Sequence, residues 1–357
     1  MRSWQKLLVQ ILLSPLSLIY GIIVSMRNMF YDTGLLRASR FNIPVISIGN
    51  LSIGGAGKSP HIEYLIKLLQ EYLYVGVLSR GYNRKTSGFR WVNSGDSALT
   101  SGDEPLQFKR KFSDISVAVC ESRALGIPLM LQQHPEFQTI LLDDAFQHRQ
   151  VAPGLNILLT AFENLFTRDF LLPSGRLREW RSGYQRADII IISKCPDNLS
   201  AEQQDLIISE IKPLKHQQIF FSTYRYGYPY HFFQSSYQIS LDQDLDVLLI
   251  SAIANTAYLL QYLKNQVLRL HEMEFEDHHI FTIQDMDRIK ERFHAIPAKR
   301  KILLTTEKDA MRLDIHRQKL YDSGIPVFIL PVQVQFVGEN AAHFDSEIKD
   351  FLLNFKS

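Results

Sequence analysis

Lys58 and Ser59 close a glycine-rich turn, Gly49-Asn50-Leu51-Ser52-Ile53-Gly54-Gly55-Ala56-Gly57-Lys58-Ser59, which follows an apolar, β-branched run that starts at Pro44. These residue types in this order suit polyphosphate binding. Backbone N–H groups of such a turn wrap the phosphates, and the following helix presents its positive end. Lys58 can reach the β- and γ-phosphates, and the Ser59 hydroxyl can hold Mg²⁺. The expected ATP-binding loop is therefore Ser52, Ile53, Gly54, Gly55, Ala56, Gly57, Lys58 and Ser59. The pattern G-x-x-x-x-G-K-[ST] asks for glycine at position 52, where this chain has serine. Strand, turn and helix still follow in the order the motif requires, with the helix expected over 61–72.

A second constellation, Thr139-Ile-Leu-Leu-Asp143-Asp144, is an apolar strand ending in two carboxylates. In P-loop proteins such a strand supplies the acid that holds Mg²⁺ beside the phosphate loop. Ser59, Asp143 and Asp144 are the expected metal residues. The polar groups that continue this run, Gln147 and His148, fall at the edge of the same site. Arg80 follows another apolar strand and could clamp phosphate or lie on the surface. Gly102-Asp103-Glu104-Pro105 places two acids before a helix-like stretch, either as an N-cap or as a base for a substrate hydroxyl. Arg178 and Glu179, in a loop rich in Gly, Pro and Arg, could hold a phosphorylated or sugar substrate. In Phe275-Glu276-Asp277-His278-His279, an Asp–His pair that orients a base is better motivated than a metal site, because no further Cys or His has ligand spacing. Thr306-Glu307-Lys308-Asp309 ends one more strand with a polar cluster.

These groups need a frame. Apolar runs at 45–49, 74–79, 115–119, 139–142, 157–160 and 188–194 lack alternation, as strands covered on both faces do. Helical patterns at 61–72 and 121–133 lie between some of them. The expectation is an α/β fold: a P-loop NTPase-like, doubly wound, mostly parallel sheet with helices on both faces. Ligands in such sheets sit at the carboxyl ends of the strands. The composition changes near residue 218, where a stretch to residue 237 is crowded with aromatics, including Tyr224, Tyr226, Tyr228 and Tyr230 at period two. That stretch reads as a half-buried strand face or as an acyl-chain or sugar contact surface. Beyond it, strands at 247–252, 302–305, 327–330 and 332–336 and helices at 257–263 and 283–293 suggest a smaller second α/β domain. The expected division is 1–30 for an N-terminal helix, 31–218 for the P-loop core and 219–357 for the second domain, whose end can pack back on the core.

The 357 residues suffice for two domains, and 46% hydrophobic content supports a substantial core. A net charge of +2 gives no argument for nucleic acid. Cys120 and Cys195 lie far apart, which fits buried thiols and no disulfide framework. Residues 7–24 carry no charge, with Arg2 and Lys6 before them and Arg27 after. No small-residue cleavage site follows, which disfavours a signal peptide. The run is marginal for a spanning helix and is broken by Gln10, Ser14, Pro15 and Gly21. A helix lying in or on a bilayer surface, with Trp4 and Tyr20 at the interface, fits better.

Together the motifs resemble the tetraacyldisaccharide 4′-kinase family, the lipid A 4′-kinases. The resemblance runs from the N-terminal helix to about residue 310. It rests on Arg27-Asn28, Tyr31-Asp32-x-Gly34, the Gly49–Pro60 loop, Ser79-Arg80-Gly81-Tyr82, Gly102-Asp103-Glu104-Pro105, Asp143-Asp144-x-Phe146-Gln147-His148, Leu177-Arg178-Glu179, Asp277-His278-His279 and Thr306-Glu307-Lys308-Asp309. The family loop also lacks the first glycine, so Ser52 agrees with it. Ser59 stands where threonine is usual, and Ala145 where glycine is usual, which bears on whether a φ > 0 turn forms at Ala145. The resemblance implies transfer of the γ-phosphate of ATP to the 4′-hydroxyl of a tetraacyldisaccharide 1-phosphate, an acylated glucosamine disaccharide lipid. It implies action at the cytoplasmic face of the bacterial inner membrane, with ATP and Mg²⁺ as cofactors. The catalytic residues it implies are Asp103, as the base or sharing that task, and His278, which orients or tunes it across a cleft, beside Lys58 and Asp277. The other readings are a P-loop kinase for a different membrane-borne acceptor, and a membrane-recruited nucleotide switch with no substrate base.

Overall fold

The computed structural model describes residues 3–338 and 340–356, with side chains from Gln10 onward. The interfacial role expected of Trp4, and the basic flank of Arg2 and Lys6, lie outside the described side chains. The chain forms two compact units. The first takes the chain up to Arg80, Cys120–Tyr224 and the chain from Val334; the second takes Gly81–Val119 and Arg225–Gln333. The switch at Tyr224 lies near the expected division at 218. The segment Gly81–Val119, expected in the P-loop core, instead clusters with the second unit, and the chain from Val334 with the first.

In the first unit the strands lie in the order Val332–Phe336, Gln218–Tyr226, Ile189–Ser193, Leu155–Ala161, Val45–Asn50, Thr139–Asp143 and Val75–Ser79. The pairings from Gln218–Tyr226 through to Val75–Ser79 are all parallel. Continuous apolar runs suit this position, and Ile46, Ile48, Leu141, Ile190 and Ile192 are fully buried. From Val45–Asn50 the chain crosses to Val75–Ser79 on one side. From Thr139–Asp143 it passes over that central strand to Leu155–Ala161 on the other. The carboxyl end of Val45–Asn50 is thus the topological switch point, where such sheets bind ligands. The strand Val332–Phe336, expected in the second domain, is the outer strand here.

The second unit holds a sheet in the order Arg269–Glu274, Asp246–Ser251, Lys301–Thr306, Val327–Leu330 and Tyr230–His231, parallel except for the last pair. Arg269–Glu274 had no clear sequence signal. It is an edge strand, Arg-Leu-His-Glu-Met-Glu, in which no residue is buried. The same unit contains the antiparallel pair Arg90–Trp91 with Ser116–Val119 and the helix Asp103–Lys111. The aromatic stretch does not form one surface. Phe220 and Phe221 are core residues of the first unit, whereas Tyr226 packs on Tyr262 in the second, with ring centroids 4.4 Å apart.

The N-terminal helix spans Ser3–Asp32. It attaches to the first unit by one stripe at helical spacing. Ser17 Oγ donates to Ser174 Oγ at 2.7 Å, Tyr20 Oη donates to the Arg178 carbonyl at 2.7 Å, and Asn28 Nδ2 donates to Glu179 Oε2 at 3.0 Å. Gly21 permits this approach, since a Cβ there would stand 2.7 Å from both Leu171 and the Trp180 ring. The other faces leave Ile11, Leu12, Leu16, Ile19, Ile22 and Ile23 exposed. By length and composition Gln10–Asp32 suits a bilayer. Both cysteines are buried thiols that are not joined in a disulfide.

Candidate functional site

The phosphate loop occupies the switch point of the first sheet. The helix after it begins at Lys58 and ends at Leu69, earlier than the 61–72 pattern suggested, with Gly57 as its N-cap. Gly57 has φ 88°, and a Cβ there would stand 2.5 Å from Tyr224 Oη. Glycine is therefore required twice at this position, for conformation and for space. Gly54 has φ 106°. Asn50, quoted above only as part of the motif, proves to be the loop's hub. Its Nδ2 donates to the Ser52 carbonyl at 2.5 Å, and its Oδ1 accepts from Lys58 Nζ at 3.1 Å.

The loop rests on the segment that carries Arg178. Ile53 N–H donates to the Arg176 carbonyl and Arg178 N–H to the Leu51 carbonyl, both at 2.7 Å. Arg178 then grips Asp144 with two N–H groups, at 2.8 and 3.2 Å, and donates to the Asn50 carbonyl at 2.8 Å. Lys58 Nζ lies 3.7 Å from Asp144 Oδ1. Desolvation would raise the Asp144 carboxyl, but Lys58 and Arg178 outweigh it and hold it well below the usual carboxylate range. Ala145 does not adopt a positive φ, whereas the preceding Asp144 does, at 45°.

Asp143 is 1% exposed and pairs in register with Ile48, just before the loop. Its Oδ2 accepts from Ser79 Oγ at 3.0 Å, and its backbone carbonyl accepts from the buried Arg123 at 2.7 Å. Arg123 drew no attention in the sequence, because an arginine after a strand has no distinguishing spacing. Asp143 ends its strand, Asp144 follows it, and Ser59 lies in the first turn of the helix after the phosphate loop; all three offer oxygen, the donor type Mg²⁺ takes together with phosphate oxygens and water. Among the described residues no cluster of three or more His, Cys, Asp or Glu could hold a metal.

The expected substrate residues separate. Arg80 is exposed at the end of Val75–Ser79. Burial pushes the His148 imidazole down to about 4, so it is neutral at physiological pH. Gln147 Nε2 donates to the Asn50 carbonyl at 2.9 Å and to Glu179 Oε1 at 3.0 Å. Glu179, expected at the substrate, is only 2% exposed and accepts from Asn28, Gln147 and Arg186. It ties the N-terminal helix to the loop's support rather than facing outward. Lys194 was missed. Burial holds it down to about 8, and its Nζ lies 5.6 Å from the centroid of the Tyr224 ring, next to Ser193, whose Oγ donates to the Ala56 carbonyl at 2.7 Å.

In the second unit Asp103 and His278, 175 residues apart in sequence, meet with His278 Nδ1 3.3 Å from Asp103 Oδ2. The resemblance put these residues on opposite sides of a cleft; both belong to one compact unit. Asp103 is the first residue of the helix Asp103–Lys111, whose positive end favours a carboxylate. Its Oδ1 accepts from the Glu104 N–H at 2.9 Å. His278 is held at φ 59°, with its N–H on the Ala252 carbonyl at 3.1 Å. Two further residues that the sequence did not assign close around Asp103: Lys308 Nζ at 3.9 Å and Arg312 Nε at 3.8 Å. Burial would raise the Asp103 carboxyl, yet Lys308, His278 and Arg312 bring it well below the usual range. The neighbouring His279 is bonded elsewhere, to Asp285 at 2.9 Å, which separates the two histidines by role. Thr306 is a helix N-cap, accepting from the Asp309 N–H at 3.1 Å. Asp277 Oδ2 is 3.9 Å from His278 Nε2.

The profile of the family described as Tetraacyldisaccharide-1-P 4′-kinase matches residues 9–352. A tetraacyldisaccharide 4′-kinase of Phocaeicola vulgatus is 41% identical over 347 residues, covering 95% of this chain and 94% of that protein. One from Flavobacterium johnsoniae is 40% identical over 341 residues, covering 96% of both. The solved structure of LpxK from Aquifex aeolicus in complex with ATP aligns with a TM-score of 0.71 at 27% identity, over 96% of this chain and 99% of that one.

Proposed function

The chain belongs to the tetraacyldisaccharide-1-P 4′-kinase family, and on that premise we propose how its residues share the reaction. It is an ATP-dependent kinase of lipid A biosynthesis that phosphorylates the 4′-hydroxyl of a tetraacyldisaccharide 1-phosphate. The residues proposed to take ATP are those of the loop Ser52–Ser59, with Lys58 on the β- and γ-phosphates. Ser59 and Asp143, with Asp144 beside them, would hold Mg²⁺, which when bound neutralises charge on the transferring phosphoryl group.

The single observation that carries the mechanism is the 3.3 Å contact between His278 and Asp103. Phosphoryl transfer asks a protein for positioning, charge stabilisation and a place for the hydroxyl proton. A carboxylate held well below its usual range is by itself a poor resting place for a proton. Asp103 and His278 therefore act as one proton-accepting pair, the buried carboxylate orienting the imidazole and stabilising it once charged. The test is an assay with γ-labelled ATP and a tetraacyldisaccharide 1-phosphate. The expected product carries label at the 4′-position. Label released only as inorganic phosphate, with or without lipid, would mark a nucleotide hydrolase or switch instead.

The exposed apolar face of the N-terminal helix supports a place on the cytoplasmic face of the inner membrane, where ATP and the acyl chains of the acceptor meet. Burying one such side chain is worth roughly 1.5–3 kcal/mol. Ile19→Ser, Ile22→Ser and Ile23→Ser together leave the docking stripe intact and are expected to move the protein from the membrane to the soluble fraction on centrifugation. Undiminished sedimentation with membranes would remove this face as the anchor.

A further inference from the structure

We infer that Lys308 is a positioning residue for the proton-accepting pair: it holds His278 in the tautomer whose lone pair is on Nε2. The inference deepens the reading of Asp103 and His278 given above and rests on it. Lys308 Nζ lies 3.5 Å from His278 Nε2, 3.1 Å from Glu104 Oε1 and 3.9 Å from Asp103 Oδ2. An ammonium has three donors and no acceptor, so a proton on Nε2 would point at a cation with nothing to receive it. The proton then belongs on Nδ1, which faces Asp103 Oδ2 at 3.3 Å. One cation thus selects the tautomer from one side of the ring while one carboxylate selects it from the other.

The neighbours fit this division. Burial works against the charge of Lys308, but Glu104 and Asp103 outweigh it and raise its pKa, so it stays an ammonium. Arg312, 3% exposed, faces Asp103 and is itself paired with Asp309. The groups facing the imidazole are Asp103, Lys308, Asp277 at 3.9 Å and the Tyr82 ring, 4.8 Å away between centroids and edge-on. Asp277 alone would draw a proton to Nε2. Lys308 is closer and opposes it. Without that cation a proton on Nε2 meets no opposing charge, and a proton there occupies the lone pair that must accept the hydroxyl proton.

The experiment compares Lys308→Met and Lys308→Arg with the unaltered kinase, by pH profile and by ¹⁵N NMR of the imidazole. In Lys308→Met the acidic limb of kcat/KM is expected to move up by about one pH unit, a further tenfold loss at acid pH, with KM for ATP unchanged. Lys308→Arg should restore the limb in part. In the unaltered protein the NMR spectrum should show neutral His278 protonated on Nδ1. A proton found on Nε2 overturns the inference, and this readout needs no turnover or variant. A lower Tm in Lys308→Met with an unmoved acidic limb also overturns it, reducing Lys308 to an ion-pair partner of Glu104. Full activity of His278→Ala would instead sink the pair itself.

Discussion

Asp103→Ala and His278→Ala should each lower lipid phosphorylation by roughly 10²–10⁴-fold, the span of a positioned proton acceptor, while ATP binding stays intact. Because the two residues act as one unit, the double variant should lose little more than either single one. Additive losses would mean separate tasks. Unchanged turnover in both single variants would end the mechanism proposed here. Asp103 adds a constraint on pH. Its carboxyl is held below the usual range, so its protonation cannot set an acidic limb above about pH 4. The same depressed carboxyl contributes stability that is present above the unfolded pKa and is lost as pH falls through the folded one. Below about pH 4 the stability gap between the unaltered protein and Asp103→Asn should therefore shrink. A gap that widened in acid would contradict the assigned charge. Asp103→Asn and Asp103→Ala should both be less stable than the unaltered protein at neutral pH, since each leaves Lys308 and the buried Arg312 without the carboxylate between them.

Lys58→Ala is the second large effect. Lys58 sits against Asn50 Oδ1 at 3.1 Å and Asp144 Oδ1 at 3.7 Å. Those two oxygens fix the direction of the ammonium at the end of the glycine loop. Removing one preorganised charge from a transition state costs about 10²–10³ in kcat. Lys58→Ala should show that loss, with weaker ATP binding measured by calorimetry. It also removes one of two cations from Asp144, leaving Arg178 to hold it. Full activity in Lys58→Ala would remove the P-loop assignment. Lys58→Arg should recover little, because a planar fork cannot replace a compact point charge in a closed loop.

Much of this was legible beforehand because it is local. A glycine turn between a buried strand and a helix depends on residues a few positions apart, and so does an acid at a strand's end. The uninterrupted apolar runs at 45–49 and 139–142 told of strands covered on both faces, as Val45–Asn50 and Thr139–Asp143 are. What stayed hidden is what distant segments do to one another. Val332–Phe336 alternates exposed and buried residues like any edge strand, and nothing in it names the sheet it joins. Glu179 sits beside Arg178 in sequence, but the chain's turn sends one side chain to the phosphate loop and the other into the clamp on the N-terminal helix.

By itself, then, the sequence determined the nucleotide loop, the α/β class and the apolar character of the N-terminal helix, because strand, turn and helix signals are short-range and repeat along the chain. The tertiary structure decided the charge state around the chemistry. Only folding brings Lys308 and Arg312 from one helix to Asp103 at the start of another, and only that juxtaposition sets the carboxylate's ionisation and the imidazole's tautomer. Electrostatic energy depends on separation through space, and a spacing of about two hundred residues carries no trace of a contact under 4 Å.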